Sequence, residues 1–312
     1  MTLKPPFDVR TIQLKWLLFP LILISLFSCD PKDNRHKEDE VFRYNEHYNV
    51  ATLDPAFARN PPIIWPTNQL FNGLVQQDDS LNIIPDVAKR WTVSEDTKTY
   101  TFILRDDVYF HKHEQFKTKD STRKVSAEDF VYSFNRLKDP SIASPGSWVL
   151  SNVDRYQAVN DSTFQITLKK EFPAFLGLLT MRYCSVVPEE IVSFYGNEFR
   201  SHPIGTGPFK FKRWEEGVKL VLRKNNLYFE KDEDGNRLPY LEAVAITFLP
   251  DKQSEFLQFA QGNLDMLNSL DPSYKDELLT ATGKLKENYK NRVKTITGPF
   301  LNTEYLGFYL EL

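Results

Sequence analysis

The sequence predicts a mixed α/β fold in which strands and helices do not follow the strict βαβ alternation of a doubly wound sheet. Segments with apolar residues at every second position predict strands, and segments with apolar residues three and four apart predict helices. The chain has 312 residues, of which 14% are aromatic, and two cysteines. Its stability must therefore come from packed apolar side chains, and its length favours two packed units.

The strand pattern is clearest at Thr99–Leu104, where polar and apolar residues alternate. Arg105–Asp107 is predicted to form a turn and Val108–His111 a second strand, so that the two strands make a β-hairpin. Two later segments have the same pattern: residues 163–168, and residues 209–222 on both sides of a turn at 215–217.

The clearest helix is predicted to begin after Ser126, which caps it, and to end before Pro140, which cannot continue it. Glu128 and Asp129 lie in its first turn, where negative charge interacts favourably with the helix dipole. Its apolar face consists of Phe130, Val131, Phe134 and Leu137. Two more helices are predicted at residues 188–199 and 254–260, and a strand at 264–267. Clusters of Pro and Gly predict loops at residues 60–62, 139–140, 144–146 and 203–208.

The N-terminus has the order of an export signal. Three basic residues precede the apolar stretch Trp16–Phe27, whose 12 residues are too few for a hydrocarbon core, which needs about 20. Ser28 and then Cys29 follow, an order similar to a lipoprotein signal, in which the cysteine becomes the lipidated first residue of the mature chain. We predict a signal peptide at residues 1–28 and lipidation at Cys29. An ordinary signal cleaved nearby, or a poorly formed membrane anchor, is the alternative.

The residues after Cys29 predict a tether. Residues 30–40 are rich in charge and contain no aliphatic or aromatic residue, so they have nothing to bury and should be disordered in solvent. The globular part is expected to begin near Val41. Without residues 1–28, basic residues fall from 39 to 36 and acidic residues from 42 to 41, a formal net charge of −5. This mildly acidic balance does not indicate nucleic-acid binding.

Several residues have only part of a chemical motif. His111 and His113 point to one side of the predicted strand, but no third ligand is close in sequence, so we predict no metal site. Gly205 and Gly207 are followed by a strand and not by a helix N-terminus, which excludes a phosphate-binding loop. Cys184 lies in a predicted strand and is interpreted as a buried, unreactive thiol. No Ser, His and Asp residues stand in a nucleophile motif, and we predict no enzymatic activity and no cofactor.

Seven sequence blocks, in the right order, resemble the extracytoplasmic solute-binding protein family 5. This family comprises the oligopeptide, dipeptide and nickel binding proteins of ABC importers. The blocks are Leu53–Ala56, Leu70–Val75, Trp91–Asp96, Leu104–His111, Val125–Phe134, Gly205–Phe209 and Gly262–Asp265. Two residues depart from the family pattern: Asp107 stands where the family usually has glycine, and Asn263 where it often has glutamate.

The resemblance implies a lobe like lobe I of a class II periplasmic binding protein. We place its core domain at residues 41–66 and 191–299 and an inserted subdomain at residues 67–190. In the family, ligand lies between this lobe and a second lobe, and residues 300–312 resemble the strand that crosses to it. We therefore expect the sequence to be a fragment in which lobe II is missing; a short single-lobe protein is the alternative.

The resemblance also implies a function. The chain is expected to be a monomeric, lipid-anchored solute-binding component of an ABC importer in the cell envelope, facing the periplasm or extracytoplasmic space. It would capture oligopeptides or dipeptides between two lobes and deliver them to the permease and its ATPase. A nickel complex or another small solute is an alternative ligand. An envelope hydrolase or a structural lipoprotein is an alternative function.

Two places are expected to contact ligand by this resemblance. Tyr48, Asn49, Val50 and Thr52 belong to an edge that faces the cleft in relatives and can offer main-chain hydrogen bonds. Trp148 follows a Ser-Pro-Gly loop, where relatives often place an aromatic residue against the ligand. The alternatives are that Tyr48 is a strand packing residue and that Trp148 anchors its loop.

Overall fold

The structure, a computed structural model, describes residues 40–268, 270–297 and 305–308. Cys29, the signal peptide and almost all of the predicted tether lie outside the described residues, as does most of the predicted crossing strand. Residues 305–308 have no regular secondary structure. Within the described ranges, no helix has the length and apolar character needed to cross a membrane.

The described chain contains ten strands and six α-helices. The strands are β1 (Val41–Asn45), β2 (Val75–Gln77), β3 (Ile83–Pro85), β4 (Ala88–Val93), β5 (Thr99–Leu104), β6 (Val153–Asn160), β7 (Thr163–Leu168), β8 (Phe209–Glu215), β9 (Lys219–Lys224) and β10 (Ala243–Thr247). The helices are α1 (Pro61–Leu70), α2 (Ala127–Lys138), α3 (Phe175–Leu179), α4 (Glu189–Tyr195), α5 (Lys252–Ala260) and α6 (Pro272–Leu278). Short 3-10 turns lie at Pro55–Phe57, Glu114–Phe116, Ser147–Leu150, Arg182–Cys184 and Gly196–Ser201.

The strands form two four-stranded sheets and one two-stranded ribbon. The first sheet has the order β1-β10-β9-β8, in which β1 and β10 are parallel and the other pairs antiparallel. The second sheet is antiparallel with the order β4-β5-β7-β6, and β2 pairs with β3. Parallel and antiparallel pairs in one chain, with helices between them, confirm the predicted mixed α/β class.

Helix α2 packs on the second sheet as its pattern predicts. Phe130 and Phe134 are buried, and their rings lie 5.6 and 5.4 Å from the ring of Phe164 on β7. The carboxylate of Asp129 accepts hydrogen bonds from the main-chain N–H of Ser126 at 2.8 Å and from its hydroxyl at 3.1 Å. The predicted start, end and apolar face of this helix are therefore confirmed, although Val131 is only half-buried.

The predicted hairpin between Thr99–Leu104 and Val108–His111 is wrong. Strand β5 forms, but its two edges pair with β4 and β7. Residues 108–111 make only an isolated bridge, from Tyr109 to Lys124. Because β5 has both neighbours from elsewhere in the chain, no edge remains for the segment after its turn.

Other local predictions also need correction. The expected loop at residues 60–62 starts α1, because proline is tolerated in the first helical turn, where N–H groups have no partner. Cys184 lies in a 3-10 turn and not in a strand, although it is buried as predicted. The helix expected at 188–199 ends as an α-helix at Tyr195, since Gly196 adopts φ +52°. The strand expected at 264–267 does not form; Asp265 instead bonds to Arg43 on β1, whose main-chain N–H donates to the Asp265 carboxylate at 2.6 Å and whose carbonyl accepts from the Asp265 N–H at 2.8 Å.

Candidate functional site

The candidate site is built on the post-β1 segment, residues 46–54. The segment starts at the carboxyl end of β1, and because β1 and β10 are parallel, β10 ends at the same edge of the sheet. In α/β sheets, ligands commonly bind outside the carboxyl ends of strands. Within the described ranges, no main-chain N–H of residues 48–52 hydrogen-bonds to the protein. This stretch therefore has unpaired main-chain donors next to a sheet edge.

The residues predicted in this segment differ in exposure. Tyr48 is 75% exposed, whereas Val50 is 1% exposed and packs in the core. Asn49 is exposed, and its side-chain oxygen accepts a hydrogen bond from the main-chain N–H of Gly217 at 2.9 Å, which ties the segment to the β8–β9 turn. Thr52 is half-buried, and its hydroxyl accepts from the main-chain N–H of Asp54 at 3.0 Å. Tyr48, Asn49 and Thr52 thus present groups to solvent, and Val50 holds the segment to the core.

A cavity of about 850 Å³ lies beside this segment. Thr52 lines it, whereas Tyr48, Asn49, Val50 and Trp148 do not. The rest of the wall comes from the chain before α1, from the end of α2 and from the turn after α4, including Arg59, Asn135, Ser141, Ser193 and Asn197. The size lies within the range of about 300–1,000 Å³ typical of small-molecule sites.

Trp148 belongs to the 3-10 turn Ser147–Leu150 and is 51% exposed. The turn is attached to the core, because Val149 and Leu150 are buried and the Ser144 hydroxyl, just before the turn, donates to the Ala56 carbonyl at 2.5 Å. The indole ring therefore stands in solvent on a rigid support. Pro145, in the same loop, lines the cavity.

A buried ion pair holds the post-β1 segment against α2. The guanidinium of Arg136 donates two parallel hydrogen bonds to the carboxylate of Asp54, one of them at 2.8 Å, and the two side chains are only 9% and 5% exposed. Asp54 Oδ1 also accepts from the main-chain N–H of Ala56 at 3.0 Å. Bidentate geometry and low exposure make this a strong and directional contact. It forms part of the cavity wall, since both residues line it.

Arg200 makes a second attachment of the same segment. Its main-chain carbonyl accepts from the N–H of Leu53 at 2.8 Å, and its guanidinium donates to the carbonyl of Ala51 at 3.3 Å. The guanidinium also pairs with Glu216 at 2.9 Å. The segment is thus held at both Ala51 and Leu53, while residue 52 between them lines the cavity.

A cluster of ionisable side chains lies at the start of the segment. His47 Nε2 is 2.9 Å from the buried carboxylate of Glu255 and contacts the ammonium group of Lys252. Glu46 is buried beside them, and burial, together with the charge of Glu255, raises the pKa of Glu46 to about 7. Glu46 Oε1, His47 Nδ1 and Glu255 Oε1 are buried without a hydrogen-bond partner in the described chain. These three polar atoms are therefore buried at a cost in stability.

The histidines and the cysteine considered in the sequence analysis have structural and not catalytic surroundings. His111 is buried; its Nδ1 accepts from the N–H of Gly205 at 3.3 Å, so Nε2 carries the proton and donates to the Gly207 carbonyl at 3.1 Å. Burial lowers the pKa of His111 to about 4 and raises that of Cys184 to about 12. His113 contacts the Tyr195 hydroxyl at 3.0 Å instead. Among the residues that the structure describes, no group of three His, Cys, Asp or Glu residues could hold a metal ion.

Comparison with known proteins agrees with this architecture. Residues 82–311 match the sequence profile of the bacterial extracellular solute-binding proteins, family 5 Middle. The chain is 28% identical over 280 residues to the periplasmic oligopeptide-binding protein OppA of Salmonella typhimurium, covering 84% of this chain and 47% of that protein. It is 30% identical over 296 residues to the periplasmic murein peptide-binding protein MppA of Escherichia coli, covering 88% of this chain and 48% of that protein.

A solved structure is similar as well. The periplasmic binding protein DppA from Helicobacter pylori, in complex with the peptide STSA, superposes with a TM-score of 0.69 at 25% identity, over 78% of this chain and 50% of that chain. The fold is thus that of a solute-binding protein. The chain belongs to the bacterial extracellular solute-binding proteins, family 5. It spans about half the length of the curated relatives that it matches.

Sequence reasoning did not find the residues that hold the site together. Asp54 lies in a family block, but its partner Arg136 is 82 positions away, and Arg200 lies farther still. One signal was available: Arg136 is a basic residue on α2 next to the apolar face, where an unpaired charge would be costly to bury. A carboxylate partner could therefore have been expected, though not which one.

Replacing Asp54 by Ala should lower the free energy of unfolding by about 3–5 kcal/mol, because it leaves the buried Arg136 guanidinium without its partner. Urea unfolding measures this change. Asp154→Ala is the matched control, since Asp154 pairs with Arg155 at the surface, where the two side chains are 52% and 63% exposed. The control should cost less than about 1 kcal/mol. Equal losses in the two variants would contradict the role of the buried pair.

The raised pKa of Glu46 predicts a pH dependence of stability. The folded protein binds this proton more tightly than the unfolded chain, so stability is lost as pH rises from about 4.5 towards 7. In wild type, ionisation of Glu46 should lower the free energy of unfolding by roughly 2–3 kcal/mol between about pH 5 and pH 8. The Glu46→Gln variant cannot ionise at this position and should not show this part of the decrease.

The measurement is urea unfolding at both pH values, with exposed Glu95→Gln as the control. Asp86 has a pKa raised to about 7 by burial and contributes in the same direction, so the informative quantity is the difference between wild type and variant. Identical pH slopes for wild type and Glu46→Gln would refute this assignment.

Proposed function

We propose that this protein is the extracytoplasmic solute-binding component of an ABC importer and captures short peptides. The observation that carries the proposal is the post-β1 segment, whose main-chain N–H groups at Tyr48, Asn49 and Thr52 have no partner in the described chain. A peptide in extended conformation can pair with such groups whatever its side chains are. Family membership makes solute binding the expected activity of this surface.

The geometry supports capture of peptides of varied sequence. Main-chain hydrogen bonds at Tyr48, Asn49 and Thr52 would give affinity, and Val50 in the core would keep these groups in place. The cavity of about 850 Å³ beside Thr52 has room for a side chain and for water. Water can satisfy the polar groups of different side chains, so that none is buried unpaired.

Trp148 is proposed as an aromatic contact for the ligand. The ring is 51% exposed, and the turn that carries it is attached to the core by the next two residues, which are buried. Rigid aromatic side chains contribute contact area at a low cost in conformational entropy. Pro145 links this loop to the wall of the cavity, which places the ring and the cavity on connected parts of one loop.

Ligand release requires that the binding surface opens. We propose that residues 41–66 and 191–299 form the core domain of one lobe, that residues 67–190 form an inserted subdomain, and that a second lobe closes over ligand by a hinge motion. Closure removes water from the ligand, and opening returns it to solvent for delivery to the permease and its ATPase. The protein would act as a monomer.

The names of the relatives support peptides as the proposed class of ligand. OppA and MppA are described as oligopeptide-binding and murein peptide-binding proteins, and the DppA structure contains a peptide. Peptides therefore have priority over a nickel complex; one solved relative, NikZ from Campylobacter jejuni, holds Ni(L-His). The described residues contain no metal cluster of three ligands, but a metal complex could bind through other groups.

We also propose that lipid on Cys29 anchors the protein to a membrane of the cell envelope. Residues 30–40 would then act as a tether that keeps the receptor within reach of its permease. The support is the order of basic residues, a short apolar stretch and a cysteine at the N-terminus. A role as an envelope hydrolase has no comparable support, because the relatives are named as binding proteins.

Titration of the purified protein with tripeptides and tetrapeptides by isothermal calorimetry should give a Kd near 1 μM, about −8 kcal/mol. Trp148→Ala should weaken binding about tenfold, since it removes one aromatic contact. Tyr240→Ala is the control, because Tyr240 is an aromatic residue of similar exposure, 65%, that does not line the cavity. No heat with any peptide at about millimolar concentration would count against the proposal.

Cys29→Ser should abolish lipid attachment and release the protein from the membrane fraction. The measurement is mass spectrometry of the mature N-terminus, together with fractionation of cells that produce wild type or variant. Cys184→Ser serves as the control thiol, because Cys184 is buried in the fold. A wild-type N-terminus without lipid, cut at another position, would exclude the anchor but leave solute binding open.

A further inference from the structure

A second cavity, of about 540 Å³, lies beside α1. Its wall consists of the end of α1, strand β2, the segment around Arg182, and Pro208 with Tyr228. It shares no lining residue with the cavity beside Thr52; Ile63 lines the first cavity and its neighbour Ile64 lines the second. The two cavities are therefore lined by different residues, although α1 contributes to both.

Carboxamide side chains dominate this second cavity, which we call the carboxamide cavity. Five of them come from ten consecutive positions: Asn68, Gln69, Asn72, Gln76 and Gln77. Each carboxamide offers two donors and one acceptor oxygen without carrying charge. A cavity wall with this composition can pair with many donors and acceptors at once.

Two of the carboxamides, Asn72 and Gln76, are held in place by hydrogen bonds to other parts of the protein. Asn72 donates to the buried carboxylate of Asp86 at 2.8 Å and accepts from the Thr206 hydroxyl at 2.9 Å. Gln76 donates to the Pro85 carbonyl at 3.1 Å and to the carboxylate of Glu230 at 2.8 Å. These contacts fix two of the carboxamides before any ligand arrives.

The other carboxamides are free to bind. In the part of the chain that the structure describes, the side chains of Asn68, Gln69 and Gln77 form no hydrogen bond. Asn68 and Gln77 are exposed and Gln69 is half-buried, so all three can exchange water for a ligand. A fixed floor with mobile donors and acceptors at its rim is a suitable arrangement for a small polar ligand.

Arg182 is the charged residue in the lining of this cavity. Arg182 donates to the carbonyls of Phe71 at 3.1 Å and Thr180 at 3.4 Å, and its positive charge interacts with the buried Asp86. Glu230 is occupied by Gln76. A ligand anion would compete with these carbonyls and with Asp86 for Arg182, and a ligand cation would meet no acidic residue in the lining, so neither charge would be repaid for its desolvation.

We propose that the carboxamide cavity binds a neutral ligand rich in hydroxyl groups, a sugar or polyol. Each hydroxyl is both donor and acceptor, which matches the two functions of each carboxamide. Ile64, Met181 and Pro208 add apolar surface for the C–H faces of such a ligand. The volume suits a molecule of one or two sugar rings, within the usual range of ligand cavities. The site is independent of the peptide surface proposed above.

The test is titration of the purified protein with maltose, followed by saturation-transfer NMR and calorimetry. We expect saturable binding with a Kd in the range of about 0.1–10 mM. The double variant Gln69→Ala/Gln77→Ala should weaken it at least about tenfold, because it removes two of the free carboxamides. Asn197→Ala is the matched control, since the Asn197 carboxamide lines the other cavity, beside Thr52. This variant should bind maltose with the same affinity as wild type.

Three results would overturn the proposal. The first is no saturable signal up to about 50 mM maltose. The second is equal loss of affinity in Asn197→Ala, which would assign maltose to the cavity beside Thr52. The third is tighter binding of glutamate or putrescine than of maltose, which would show that charge and not hydroxyl groups selects the ligand. Peptide titration of the same double variant separates the two sites, because peptide affinity should not change.

Discussion

The buried ion pair between Asp54 and Arg136 is the contact on which the arrangement of the site depends. It joins a segment that leaves the first sheet to the helix that covers the second sheet. Both charges are removed from water, so the pair is stable only while its bidentate geometry is kept. The same carboxylate fixes the turn at Ala56. The ion pair therefore holds the end of the post-β1 segment in place, and Arg200 is the second residue that attaches this segment to the rest of the fold.

Local patterns predicted the parts of the fold whose determinants are local. Helix α2 has its cap, its first-turn carboxylates and its apolar face within 14 residues, and it forms as expected. The hairpin after β5 was wrong because strand partners are chosen by the whole sheet: Phe102 lies opposite Phe164, about sixty positions away in sequence. Helix α1 was missed since Pro61 and Pro62 look like a loop, although the first turn of a helix tolerates proline.

The same distinction applies to the site. The family blocks drew attention to the segment at residues 48–52, and the structure adds that Val50 is core while Tyr48 is exposed. No pattern in the sequence joins Asp54 to Arg136, because their contact depends on the path of the chain between them. The cluster of carboxamides at residues 68–77 was visible in the sequence, but only the fold brings it together with Arg182 around one cavity.

Binding of peptide through the main-chain groups of residues 48–52 is the proposal on which the function depends. Hydrogen exchange of these amides, followed by mass spectrometry with and without a bound peptide, tests it most directly. Exchange at Tyr48, Asn49 and Thr52 should slow at least about tenfold when peptide binds, because their N–H groups would gain partners that the free protein lacks. Unchanged exchange across this segment, under conditions where calorimetry shows that the peptide is bound, would show that the peptide does not pair with these groups.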